Sequence, residues 1–162
     1  MVRQFWVLLL VVVLFIPVNT VNFRGLKPVK AASCQIQDKF PDSKCTPGAV
    51  LDVSVNQICV KGYAKKVRKV TTSTKKEVYQ QYGITSHYPG QYEVDHFIPL
   101  ELGGSNDLAN LWPEPANPRP GFHEKDKVEN YLHQQVCTGK ISLTVAQKEI
   151  QTNWLEVYQK IK

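Results

Sequence analysis

Apolar residues change their spacing along this chain, and the changes divide it into elements. An uninterrupted apolar run covers Phe5 to Ile16. Residues 33–49 carry turn chemistry, in Pro41-Asp42-Ser43 and Thr46-Pro47-Gly48. From Ala49 to Val60, Val50, Val53, Val55, Ile58 and Val60 alternate loosely with polar residues, which predicts one or two short strands. Ala64 to Val70 sets Val67 and Val70 among charges and reads as a strand edge guarded by lysines. Thr74-Lys75-Lys76-Glu77 is a capping-box pattern. Val78, Tyr79 and Tyr82 follow at helical spacing before Gly83, so a short helix is predicted there.

The later half is patterned more strongly. Ser86 to Gly90 is a turn into a strand from Tyr92, and a Gly103-Gly104 loop leads to a second short strand near Trp112. Prolines at 113, 115, 118 and 120 exclude a helix or a central strand over 113–121. Phe122 to Val136 spaces Val128, Leu132 and Val136 four apart, as an amphipathic helix does, and Thr138-Gly139-Lys140 stops it. Thr144 and Gln147 fit another capping box, and Ala146, Ile150, Trp154 and Tyr158 mark one face of a final helix towards Ile161. Trp112 and Trp154 read as core, and His87 and His133 as surface. The fold class is α+β.

Composition changes the picture at the N-terminus. Arg3, the apolar run, Pro17 and the small residues Ala31-Ala32-Ser33 read as a secretory signal over 1–32, the alternative being a retained N-terminal anchor. The run is too short for an ordinary spanning helix. The expected organisation is therefore signal 1–32, a strand-and-loop region with a short helix at 33–91, and a core with its C-terminal helix at 92–162. The product is expected to be secreted, or held at the cell surface if the leader stays, with no membrane contact after its removal. A monomer is assumed.

Export makes the four cysteines, Cys34, Cys45, Cys59 and Cys137, a disulfide set. None has the Cys-x-x-Cys spacing of a zinc knuckle. The sequence leaves the connectivity open. Cys34–Cys45 with Cys59–Cys137 is favoured, because the second bond would tie the early segment to the later helix. The leader also removes charge. Of 20 basic residues, 16 lie beyond residue 32 against 14 acidic ones, so the net charge there is near +2 and not the +6 of the whole chain. Distribution says more than the total. Lys61, Lys65, Lys66, Arg68, Lys69, Lys75 and Lys76 cluster without an acid, while acids gather after Glu93. A basic flank beside an acidic centre suits an anionic polymer, and Lys65, Lys66, Arg68 and Lys69 are candidate phosphate contacts.

The chemistry concentrates in residues 92–112. Asp95-His96, Pro99, Gly103-Gly104 and Asn110-Leu111 stand at a spacing that resembles the HNH family of ββα-metal endonucleases. More widely, Cys45-Thr46-Pro47-Gly48, Ile58-Cys59-Val60, Asn110-Leu111-Trp112-Pro113-Glu114-Pro115, Lys125-Asp126 and Val136-Cys137-Thr138-Gly139 resemble a group of small exported HNH-like proteins. The resemblance implies a ββα-metal core, disulfide-braced here, and a metal-dependent endonuclease. Its substrate would be DNA in preference to RNA, and no base-reading module is visible. His96 suits a general base because imidazole titrates near neutrality. By resemblance Asp95 is a metal ligand and Asn110 orients the histidine and its loop. Mg²⁺ or Mn²⁺ fits a hard oxygen ligand, and Zn²⁺ is the alternative if an imidazole joins it.

The last ligand departs from the family pattern. Simple members place a His or Asn about nine residues after the middle Asn, and Arg119 stands there. His123 is the first choice in its place, Asp126 the second and Asn117 the third. Successive strand residues point to opposite faces, so Asp95 and His96 share an ion only if the strand twists or bulges. The reading from another class is a catalytically inactive exported module that binds nucleic acid or a surface on the same scaffold.

Overall fold

A computed structural model describes residues 34–162, and the leader expected over 1–32 lies outside the described residues. In chain order the elements are helices α1 (Val55–Ile58), α2 (Tyr63–Val67) and α3 (Thr72–Gln81), strands β1 (Tyr92–His96) and β2 (Leu111–Pro115), then helices α4 (Phe122–Cys137), α5 (Leu143–Thr152) and α6 (Trp154–Ile161). Short 3₁₀ turns occupy Leu100–Leu102 and Leu108–Asn110 between the strands. The described residues fall within one unit, Ala31–Lys162. The fold is α+β, with a two-stranded antiparallel sheet.

The apolar stripe of α4 sets the core. Val128, Leu132 and Val136 pack with Ile58, Ile98, Leu102, Ala146, Ile150, Trp154 and Val157. The Trp154 indole N–H donates to Lys39 O at 3.1 Å, which ties the C-terminal helices to the first described loop. Two smaller clusters cover the sheet. Phe97 and Trp112 pack with Tyr82 and Cys34, while Val94 and Leu111 pack on Val78 of α3.

Four expected elements come out differently. The strands expected over 49–60 reduce to one bridge, Val50 to Gly104, followed by α1. Gln57 Oε1 accepts the Ser54 N–H at 2.8 Å, so a helix start prevails over β-branching. The strand edge expected over 64–70 is α2, entered through Gly62 in the left-handed region. Helix α3 starts before Thr74, because Thr71 Oγ1 accepts the Thr74 N–H at 3.1 Å. The single C-terminal helix is two, broken at Asn153, and Ser142 caps the first of them in place of Thr144.

Prolines 113 and 115 lie inside β2, and the ladder explains why they are tolerated. Phe97 N donates to Asn110 O and Ala116 N to Gln91 O at the two ends. Antiparallel pairs alternate, so the bonded pairs are Asp95 with Trp112 and Glu93 with Glu114. Pro113 and Pro115 stand where no N–H is required.

Two disulfides brace the unit. Cys34–Cys45 closes 11 residues and Cys59–Cys137 closes 78, with Cα separations of 6.0 and 5.7 Å. In the chain-entropy model the long loop contributes about 4 kcal/mol and the short one about 3 kcal/mol. Such bonds belong to oxidising compartments. No described helix is long and apolar enough to cross a membrane.

The Gly-Gly loop is a packing requirement. A Cβ on Gly104 would lie 1.8 Å from Ile98 O and 2.8 Å from Asn110 Nδ2. Gly104→Ala is expected to cost about 3 kcal/mol, the upper end of overpacking, in denaturant unfolding. Gly90→Ala, with open space but a left-handed φ of 80°, is expected to cost about 1 kcal/mol.

Candidate functional site

Strand β1 ends on Asp95 and His96, and its pairing with β2 runs in regular register through both, Asp95 opposite Trp112 and His96 opposite Leu111. No bulge intervenes, so the pleat sends the two side chains to opposite faces. Asp95 shares its face with Glu114 and Phe97. His96 shares the other with Val94.

On the first face a lysine occupies the centre. Lys125, on the first turns of α4, is fully buried. Its ammonium donates to Asp95 Oδ2 at 2.8 Å, to His96 O at 3.0 Å and to Glu129 Oε1, and it lies 3.5 Å from Glu114 Oε2. Three carboxyl groups surround one cation, and their protonation divides accordingly. Burial pushes the Asp95 carboxyl up, but Lys125 outweighs burial and holds it below the ordinary aspartate value. Burial raises Glu114 well above the usual range and takes Glu129 to about 8, in both cases against the pull of Lys125. Asp95 is therefore the acid that Lys125 favours in its ionised form, while burial drives Glu114 and Glu129 towards the protonated form. The lysine is raised as well, because Asp95 and its neighbours outweigh its own desolvation.

The second face joins His96 to the basic segment. Asn106 Nδ2 donates to Val67 O at 2.9 Å, and its Oδ1 accepts the Lys69 N–H at 2.9 Å. Those two bonds fix the amide orientation, so the same Oδ1 faces His96 Nε2 at 3.3 Å as an acceptor. Nε2 therefore carries the proton. Nδ1 holds the free lone pair and is buried without a hydrogen-bond partner. Burial lowers the His96 pKa to about 4 against the attraction of Asp95, with Arg68 lowering it further, so the ring is neutral at pH 7. Only 1 % of His96 is exposed.

Asn110 is fully buried and closes the loop between the strands. Its Nδ2 donates to Ile98 O and Ser105 O, both at 2.9 Å, and its Oδ1 accepts the Ile98 N–H at 2.9 Å. It holds the backbone that follows His96 and makes no recorded bond to the ring. His123 and Asp126 are exposed on α4. The Asp126 carboxyl is raised by partial desolvation and by Asp95. Lys65, Lys66, Arg68 and Lys69 are all exposed.

A divalent ion beside Asp95 does not fit this arrangement. The ammonium of Lys125 already stands against the carboxylate, and Asp95, His123 and Asp126 form no close trio. Among the described residues, the ligand atoms that lie within 4.8 Å of one another, and so could hold a metal ion, belong to Cys59, His133 and Cys137. Two of these are joined in the long disulfide, so they offer thiolates only after reduction.

A comparison with protein-family models, with curated proteins and with solved structures gave no match.

Sequence reading passed over Lys125, Glu114, Glu129, Asn106 and His133 as site residues. Lys125 had a signal, since the stripe at 128, 132 and 136 extends back to 125, where a charged residue must be buried. His133 had a weaker one, a single turn before Cys137. Each has one partner a turn away on α4, Glu129 and Cys137, but the others, Asp95 and Glu114 for Lys125 and Ile58 for His133, come from distant segments.

Removing the central cation leaves Asp95 without its counter-charge. Lys125→Met is expected to lower stability by about 3–5 kcal/mol in denaturant unfolding. Glu129 sets a pH dependence of known sign. From its ordinary 4.5 up to about 8, the folded protein keeps a proton that the unfolded chain releases, so stability falls as pH rises across that window. Glu129→Gln removes this slope. Its Tm relative to wild type is expected to rise between pH 5 and 8, and parallel Tm curves would contradict the assignment.

Proposed function

We propose that the chain is an exported HNH-type nuclease that hydrolyses phosphodiester bonds with little sequence specificity, in DNA in preference to RNA. The observation that carries the reading is the Asn106 bridge, which sets the neutral ring of His96 against the backbone of Val67 and Lys69. This proximity of the basic segment's backbone to the expected base supports a shared site. The order strand, loop, strand, helix, with Asp95-His96 ending the first strand and Asn110 closing the loop, supports an HNH-like core. Two disulfides support export.

In this reading His96 Nδ1 takes the proton of a water that attacks phosphorus. Arg68 and Lys69 hold the phosphate and offset the charge that develops on its oxygens, with Lys65 and Lys66 extending the contact along the backbone. Lys125 and Asp95 keep β1 in place from the opposite face. Lys125 holds Oδ2 of Asp95, so in this reading the basic side chains carry the charge stabilisation.

The same lysine favours a second reading, a catalytically inactive nucleic-acid-binding module, as does the near-complete burial of His96. Plasmid nicking and RNA cleavage in EDTA, Mg²⁺, Mn²⁺ and Zn²⁺ separate the two. The nuclease reading expects cleavage by the wild type and a loss of about 10²–10⁴-fold in His96→Gln, whose shape is close enough to keep the fold. It also expects Arg68→Ala and Lys69→Ala to weaken binding with a shallower salt dependence. Salt-sensitive binding without cleavage under any of these conditions would establish the module instead.

A further inference from the structure

The long disulfide has a neighbour that a disulfide does not need. Cys137 is the last residue of α4, and His133 stands one turn before it on the same helix face. His133 Nε2 lies 3.3 Å from Cys137 Sγ and 3.1 Å from Ile58 O, the carbonyl that precedes Cys59. Cys59 closes α1, anchored by the buried side chain of Ile58. Three ligand atoms from two helices thus meet within 4.8 Å. Two sulfurs and one imidazole form a soft set, suited to Zn²⁺ and ill suited to Mg²⁺ or Mn²⁺. Tetrahedral zinc with bonds of about 2.3 Å to sulfur and about 2.0 Å to nitrogen needs ligand atoms roughly 3.3–3.8 Å apart. The His133–Cys137 distance already meets this, and small side-chain rotations separate the sulfurs once their bond is broken.

We propose that reduction of Cys59–Cys137 converts this cross-link into a zinc site made by Cys59, His133 and Cys137. Two equivalents of a thiol reductant supply two electrons and two protons, leaving two cysteine thiols and the oxidised reductant as its disulfide. Zn²⁺ then displaces the two thiol protons and takes the Nε2 lone pair. The imidazole proton passes to Nδ1 and the bond to Ile58 O is given up. Water completes the coordination. The exposure of Cys137 gives the reductant its point of attack. Either form ties α1 to α4, so the same residues brace the fold in an oxidising compartment by a disulfide and in a reducing one by zinc. The site is separate from Asp95 and His96 and does not depend on the nuclease reading.

The test uses the full chain reduced with a phosphine, freed of reductant without oxygen and titrated with Co²⁺ as a spectroscopic stand-in. The expected result is one Co²⁺ per chain, with thiolate-to-cobalt charge transfer and tetrahedral visible bands that Zn²⁺ abolishes. Zn²⁺ at about a hundredfold over its Kd should raise the Tm of the reduced protein by roughly 5–10 °C. Cys59→Ser should lose the charge-transfer band. His133→Gln should weaken Co²⁺ binding at least about tenfold, while its oxidised form melts with the wild type. Cys34→Ser/Cys45→Ser should keep the site. No sulfur-to-cobalt band in the reduced wild type overturns the proposal. So does a band that survives Cys59→Ser, ignores His133→Gln or vanishes with Cys34 and Cys45.

Discussion

The ammonium of Lys125 is the interaction on which the rest of this structure depends. It reaches from α4 to the Asp95 carboxylate and the His96 carbonyl on β1, and lies beside Glu114 on β2. A two-stranded sheet is marginal by itself, and this cation fastens both strands to the core helix. A buried ion pair is a weak source of net stability compared with apolar packing of the same volume. What it supplies here is a specific contact, the ammonium meeting Asp95 on β1 from α4. The upward shifts of Glu114 and Glu129 follow from the same burial, which Lys125 offsets fully only at Asp95.

That constraint also decides what the histidine can do. Regular pleating places Asp95 beneath α4 and turns His96 away, towards the basic segment that follows α2. Asp95 then acts on His96 through its field and through the backbone. The ring stays neutral by burial, and Asn106 fixes its tautomer. Asn110 contributes from further off, by locking the loop through Ile98 and Ser105. Gly104 completes the lock, since the backbone of Ile98 passes where any side chain would stand.

At the far end of α4 the Cys59–Cys137 bond plays the corresponding part, holding α1 and the approach to the basic segment against the C-terminal half. One helix therefore carries the buried cation near its start and the cross-link at its end.

The sequence alone determined the strand at Tyr92, the helix from Phe122 and the turn at Gly103-Gly104. Each of these rests on local chemistry: alternation, a spacing of four, glycine where the backbone turns. It did not determine the short helices at Val55 and Tyr63, where β-branched residues compete with caps and local preference is nearly balanced. Nor did it determine the partner of Asp95. A carboxylate that ends a strand suits a metal or an ammonium equally well, and the choice lies with Lys125, thirty residues away on another element. Only tertiary packing sets which buried charge meets which, because desolvation punishes every arrangement except the paired one.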